Sequence, residues 1–310
     1  MNHSAEIMHF DEDRLPPGQP TILTSSLEQF QLFTEMIMLS KEKTGYSSMG
    51  VVTGLSGVGK TIAIQTFLNC LESRPHTGLP AGIEIKVTPG STPRQLMENL
   101  LKRLGEKPRG HTTNRYKIAD EASEVILNND LKIVFVDESD LLNADCFEFL
   151  RYVFNKTGCP IVVVGLHQIL QVIREIEKFG SRVGPHINFY PPDEEEVLFT
   201  ILPQLVIPRW KFDPASEADI AMGKDLWERT RPSFRNLRTV LQYASMLAAI
   251  YEKDWISQAH VRQSCQMMAS LIPHAELLGA EGPQEEPQTE YERESERRHD
   301  ARVKKEGESA

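Results

Sequence analysis

The sequence is short of basic charge, of paired cysteines and of long apolar runs, and each shortage removes a class of protein. Its 310 residues carry 34 Lys and Arg against 44 Asp and Glu, a net charge of −10. A general nucleic-acid coat needs a basic excess, so that class is excluded. Ten acidic and six basic residues fall in positions 281–310, leaving the body at −6, mild enough for a local basic patch. The four cysteines, Cys70, Cys146, Cys159 and Cys265, show no C-x-x-C spacing and lie in apolar neighbourhoods. Buried free thiols in a reducing cytoplasm are therefore expected, not disulfides or ligands. No apolar run approaches the roughly 20 residues that a bilayer crossing needs. The polar stretch 1–13 has no signal-peptide character, so no membrane partner is expected. His76, His111, His186, His260 and His274 lack metal-ligand spacing, and no internal repeat is visible.

What is present is organised around one stretch, Gly54-Leu55-Ser56-Gly57-Val58-Gly59-Lys60-Thr61, which fits the phosphate-loop pattern G-x-x-x-x-G-K-[ST]. Backbone N–H groups must curl around a triphosphate there, so small residues are needed near the turn; Gly54, Ser56, Gly57 and Gly59 supply them. Lys60 is expected to reach the β- and γ-phosphates, and the Thr61 hydroxyl to ligand Mg²⁺. A β-rich run over 49–53 precedes the loop. An apolar-periodic helix over 61–71 follows, opening with Ile62 and placing its positive end at the phosphates. ATP and Mg²⁺ are the expected cofactors.

The chain then alternates. Strands are predicted over 83–87, 131–136 and 160–165, and helices over 27–43, 93–104, 116–128 and 144–154. Thr92 and Pro93 mark the start of the second of these helices. Such alternation predicts a parallel sheet covered on both faces, an α/β class. The helix over 27–43 is expected to wall the base pocket. From about residue 191 the strand signal stops, and helices are predicted over 193–205, 216–230, 234–251 and 258–271, with Trp210, Trp227 and Trp255 packing among them. The expected organisation is a leader over 1–23, a nucleotide-binding domain over 24–192, a helical lid over 193–275 and a charged tail over 276–310. The tail has almost nothing to bury and is expected to be disordered or to form an induced helix.

Asp137-Glu138 ends the buried run 131–136, and a strand's carboxyl end in a parallel sheet is where ligands bind. With a phosphate loop some 75 residues upstream, Asp137 is assigned to Mg²⁺ and Glu138 as general base toward the γ-phosphate.

The phosphate loop, the Asp137-Glu138 strand end and the helical C-terminal part together resemble an AAA+ ATPase with its Walker A and Walker B elements. Gly165-Leu166-His167-Gln168, Ser181-Arg182-Val183, Pro191-Pro192 with Glu195, and Phe234-Arg235-Asn236-Leu237 are similar to the TnsC/TniB group of transposition regulators. That group is related to MuB and to the ExeA/GspA-type secretion ATPases. The resemblance covers roughly residues 20–272 and implies the P-loop AAA+ fold with a helical lid, ATP hydrolysis in a bacterial cytoplasm, and assembly into a ring or helical filament.

It also implies residue roles. Arg182 matches the arginine finger given to a neighbouring subunit, and Arg235 the sensor arginine of the lid, with Arg231 as its substitute. His167 or Gln168 stands in for a first sensor, since Leu166 occupies the place where a small polar residue is usual. Arg94, Lys102, Arg103, Thr112, Thr113 and Asn143 match the DNA-tracking positions, with Lys107 and Arg109 adding charge nearby. The implied partners are double-stranded DNA, further copies of the chain, a DDE-type transposase and a TniQ-like targeting protein. An assembly ATPase acting on proteins and a nucleotide-gated scaffold are the alternatives.

Overall fold

A computed structural model of the chain describes residues 21–44, 47–71, 80–108, 116–176, 183–230 and 233–269. Helix α1 (Ser25–Thr44) leads into strand β1 (Met49–Gly54), the phosphate loop and α2 (Lys60–Cys70). Then come β2 (Gly82–Lys86), α3 (Pro93–Arg103), α4 (Lys117–Asn128) and β3 (Ile133–Asp137). After a 3₁₀ turn at Ser139–Leu141 follow α5 (Ala144–Thr157), β4 (Ile161–Gly165), α6 (Ile169–Glu175) and β5 (Val183–Phe189). The strands form one sheet in the order β2-β3-β4-β1-β5, every adjacent pair parallel.

Parallel strands buried on both faces read as continuous apolar runs, and β3 shows why. Val134 and Val136 point into a core shared with α3, α4 and α5, while Ile133 and Phe135 point into the opposite core under α1 and α2. Phe30 of α1 stacks on Phe135 at 5.7 Å between centroids and meets Phe67 of α2 and Phe189 of β5 edge-on at 6.4 Å each. This cluster ties the helices bearing the phosphate loop to the strand bearing Asp137. Helix α3 begins as its residues predict: Thr92 accepts from the Gln95 N–H, and the Gln95 side chain accepts from the Thr92 N–H, a complete capping box with Pro93 at the first helical position.

One strand escapes the sequence reading. The segment Val183-Gly184-Pro185-His186-Ile187-Asn188-Phe189 has no β-branched run and contains a proline, yet it pairs in parallel with β1 from Met49↔Val183 to Gly54↔Phe189. Proline is tolerated there because β5 is the edge of the sheet. The last strand of the sheet therefore ends at Phe189.

Beyond the sheet, a helical segment α7 spans 194–204, with a π-helical turn at Val197–Ile201. It packs with α8 (Glu217–Thr230), α9 (Phe234–Ile250) and α10 (Gln258–Ala269) around a separate core containing Leu202, Leu226, Leu241 and Val261. Trp210 and Trp227 pack against that core, and the Trp210 indole donates to the Leu202 carbonyl at 2.9 Å. Trp255, expected to pack as well, is 58% exposed. The Ser25 N–H at the start of α1 donates to Glu196 Oε1 at 2.6 Å, fastening the helical part to the sheet part. The leader over 1–20 and residues 270–310, which include the charged tail, lie outside the described residues.

Candidate nucleotide-binding site

The loop between β1 and α2 takes the shape its glycines permit. Gly57 has φ +76° and Gly59 φ +111°, both in the left-handed region that costs an ordinary residue about 1–2 kcal/mol. Gly59 directly precedes α2, whose first N–H groups face the loop. Lys60 is 9% exposed, and its ammonium donates to the Gly54 and Leu55 carbonyls at 2.7 Å each, so the lysine spans its own loop. Burial lowers the Lys60 pKa, as does Arg235 more weakly, while Asp137 and Asp140 act to raise it.

The two halves of the predicted site meet through one short bond. Thr61 Oγ1 donates to Asp137 Oδ2 at 2.6 Å across 76 positions of chain. Asp137 is buried at the end of β3, and its other oxygen accepts the Glu138 N–H at 2.9 Å. Glu138 is exposed and sits at φ 58°, ψ 34°, a left-handed conformation unusual for a glutamate. Strain of this sort collects at functional sites, where surrounding structure holds it. Here Ser139 Oγ donates to the Val136 carbonyl at 2.5 Å, and the Leu141 N–H to the Glu138 carbonyl at 3.0 Å. Thr61 Oγ1 and the Asp137 carboxylate form a hard-oxygen pair of the type that Mg²⁺ takes.

The lid rests directly on the loop. Ser233 caps α9, accepting the Asn236 N–H at 3.3 Å. The Arg235 N–H donates to the Gly57 carbonyl at 3.3 Å and its guanidinium to Ser56 Oγ at 3.3 Å. A Cβ on Gly57 would overlap Ser233 Oγ and lie 3.1 Å from Arg235 Cβ, so glycine is required twice over at this position. Beside the loop opens a cleft of about 540 Å³, walled by Ile22 and Leu27 at the start of α1, Ile62 of α2, Val206 after α7, and Phe234 and Arg238 of α9. Of α1, only its N-terminal end is among the residues that line this cleft, through Leu27.

His167 stands after β4, with its Nε2 3.0 Å from Asn188 Oδ1, while Gln168 Nε2 donates to Asp140 Oδ2 at 3.4 Å. Neighbouring His186 meets Thr53 Oγ1 at 2.8 Å; burial first, then His167 and Arg174, hold its pKa low.

The DNA candidates divide. Arg94 pairs with Glu98 at 2.8 Å one turn along α3, and Lys102 is exposed near the end of that helix. Arg103 donates to the Glu84 carbonyl at 3.0 Å and lies 3.9 Å from the Glu84 carboxylate, covering the β2 edge. Asn143 is exposed and caps α5 through the Cys146 N–H at 3.0 Å. Thr112, Thr113, Arg109, Arg182 and Arg231 lie outside the described residues. Sequence reasoning missed Asp140, although a second carboxylate three residues after Asp137 was there to read. It also missed Glu84, 6% exposed on β2 with its pKa raised by burial foremost; a lone strand glutamate gives no signal. Among the described residues no group of three His, Cys, Asp or Glu is arranged to hold a metal, and no helix is long and apolar enough to cross a membrane. Cys70, Cys146, Cys159 and Cys265 are all free thiols, the first three buried.

A parallel sheet with a phosphate-loop pattern after its inner strand β1, an Asp-Glu strand end two strands away and a helical part over the loop define a P-loop protein of the AAA+ fold. Comparison with known proteins agrees with that fold. Residues 43–173 match AAA_22, a family of AAA domains. Among solved structures the chain is similar to the Aeropyrum pernix ORC2 protein in its ADPNP–ADP complexes, at 16% identity over 86% of this chain and 74% of that one, TM-score 0.63. It is similar to the Aeropyrum pernix ORC1 protein in complex with DNA, at 17% identity over 82% and 68%, TM-score 0.61. It is also similar to CDC6P from Pyrobaculum aerophilum, at 16% identity over 82% and 70%, TM-score 0.60.

Proposed function

We propose that the chain is an ATP-hydrolysing AAA+ regulator of transposition that binds DNA without sequence preference when ATP is bound, assembles on it, and disassembles on hydrolysis. The observation that carries the ATPase reading is the 2.6 Å bond from Thr61 to Asp137, because it brings the phosphate loop and the acidic strand end to one point. ATP would lie with its base in the cleft between Ile22, Ile62 and Phe234 and its phosphates over the loop. Lys60 holds the β- and γ-phosphates. Thr61 and Asp137 would hold Mg²⁺, whose charge would neutralise that of the phosphates. Glu138 accepts a proton from the attacking water as the new P–O bond forms at the γ-phosphorus and the bond to the β–γ bridging oxygen breaks. Arg182 of an adjacent copy steadies the charge on the transferring group, so hydrolysis follows assembly.

The DNA reading is supported by the AAA+ fold shared with proteins whose structures include one in complex with DNA, and by the exposed Lys102 on α3. Phosphate contacts of that sort carry affinity without sequence information. The transposition reading rests on the resemblance of the loop, lid and Arg182 segments to the TnsC/TniB group. A DDE-type transposase and a TniQ-like protein are the partners it names.

The test is binding of the full chain to random-sequence duplex DNA with ATP, ADP or no nucleotide, at two salt concentrations, with negative-stain images of each. ATP-dependent, salt-sensitive binding with rings or filaments is the expected result, and Arg182→Ala is expected to abolish both assembly and hydrolysis. Intact ATPase activity with no DNA binding under any nucleotide overturns the DNA reading and leaves a protein-directed ATPase.

A further inference from the structure

The Asp140 carboxylate lies between the turn that carries Glu138 and the end of β4, and bonds to the latter twice. Its Oδ1 accepts the Leu166 N–H at 3.0 Å and its Oδ2 the Gln168 amide at 3.4 Å. The approach is close enough to need a glycine: a Cβ on Gly165 would lie 2.6 Å from Asp140 Oδ1 and 3.0 Å from the Asp140 backbone nitrogen. Asp140 belongs to the same 3₁₀ turn that holds Glu138 in its left-handed conformation. Through β4 it is also joined to the loop of His167, which reaches Asn188 on β5.

We propose that Asp140 is a positioning residue for hydrolysis: it fixes the turn bearing Glu138 against the β4–α6 loop, so that the base and the loop keep one distance from the γ-phosphate. This rests on the ATPase reading above. The physical reason is leverage. Glu138 is exposed, and among the described residues its left-handed turn is also held by local bonds, such as those of Ser139 to Val136 and Leu141 to Glu138. The Asp140 contacts join that turn to the loop that follows β4. A half-buried carboxylate with two donors is a stiff joint, since bonds to a charged acceptor are stronger than neutral ones.

The role separates from mere folding by a split between binding and turnover. In the full chain, Asp140→Ala is expected to lower kcat for ATP by roughly 10- to 100-fold, the scale of an ångström-sized misplacement. The dissociation constant of a fluorescent ATP analogue should change by less than about threefold, because no phosphate contact of Lys60 or Thr61 is removed. Asp140→Asn keeps an acceptor for the Leu166 N–H and should recover part of the lost kcat. Gly165→Ala leaves every charge in place but displaces the carboxylate, and should reproduce the kcat loss. Asp140→Ala that turns over ATP within threefold of the unaltered chain overturns the assignment. So does a kcat loss in Gly165→Ala and Asp140→Asn matched by an equal loss of nucleotide affinity. If Asp140→Ala fails to fold, the other two variants decide. Failure of the unaltered chain to hydrolyse ATP would refute the ATPase reading together with this role, whereas hydrolysis that survives in all three variants refutes the role alone.

Discussion

Replacing Gly57 by alanine tests how the lid meets the phosphate loop, because the substitution does two separable things. At φ +76° an added Cβ costs about 1–2 kcal/mol of backbone strain whatever the lid does. It also overlaps Ser233 Oγ and crowds Arg235 Cβ at 3.1 Å. The lid can escape that overlap by lifting, at the loss of the bond from the Arg235 N–H to the Gly57 carbonyl, about 1 kcal/mol. The strain therefore shows in global stability, as a loss of about 1–2 kcal/mol in urea denaturation. The lifted lid shows in nucleotide affinity. A closed state weakened by about 1 kcal/mol loosens ATP by roughly fivefold, measured with a fluorescent analogue. Adding Ser233→Gly removes the overlapping hydroxyl at only a few tenths of a kcal/mol in capping. The double variant should therefore regain affinity while remaining less stable than the unaltered chain. An affinity in Gly57→Ala unchanged from the starting protein, or one that Ser233→Gly does not improve, refutes the contact between lid and loop.

Two further outcomes follow from the packing and the buried charge. Phe30→Ala removes a fully buried ring that contacts Phe67, Phe135 and Phe189, and should cost about 3–5 kcal/mol by the same denaturation assay; a loss under 1 kcal/mol would show that the cluster is not a joint between α1, α2 and the sheet. Glu84 has its folded pKa raised above 4.5, chiefly by burial, so its ionised form is the disfavoured one in the fold. The stability it allows is complete below pH 4.5 and is lost as pH rises through the raised value. Glu84→Gln should then be at least as stable as the unaltered chain at neutral pH, with its advantage shrinking toward pH 4; a constant difference across that window refutes the assignment.

Much of the site was legible because it is local. The phosphate-loop pattern needs only that successive small residues precede a helix, and Lys60 and Thr61 stand where the spacing demands. The strand bearing Asp137 was legible because a strand buried on two faces must be apolar throughout, and 131–136 is. The edge strand β5 was not legible, since Gly184, Pro185 and His186 give it no strand signal and its pairing is imposed by β1. Arg103 and Asn143 enter as DNA-tracking positions only through the resemblance, and both stay exposed in the fold. In the fold Arg103 covers Glu84 and Asn143 caps α5, uses that neighbouring elements decide.

The sequence by itself determined that a phosphate-loop pattern is present, that the sheet is parallel, and that a helical part follows it. Those properties follow from short-range periodicity and backbone freedom, which a linear pattern records. Only the tertiary structure decided that Thr61 meets Asp137, that Asp140 holds the end of β4, and that Gly57 must admit Ser233 and Arg235 from α9. Each of these contacts joins residues more than twenty positions apart. Their meeting depends on the order in which strands pair and on how closely two backbones approach, and neither quantity is written in any one stretch of chain.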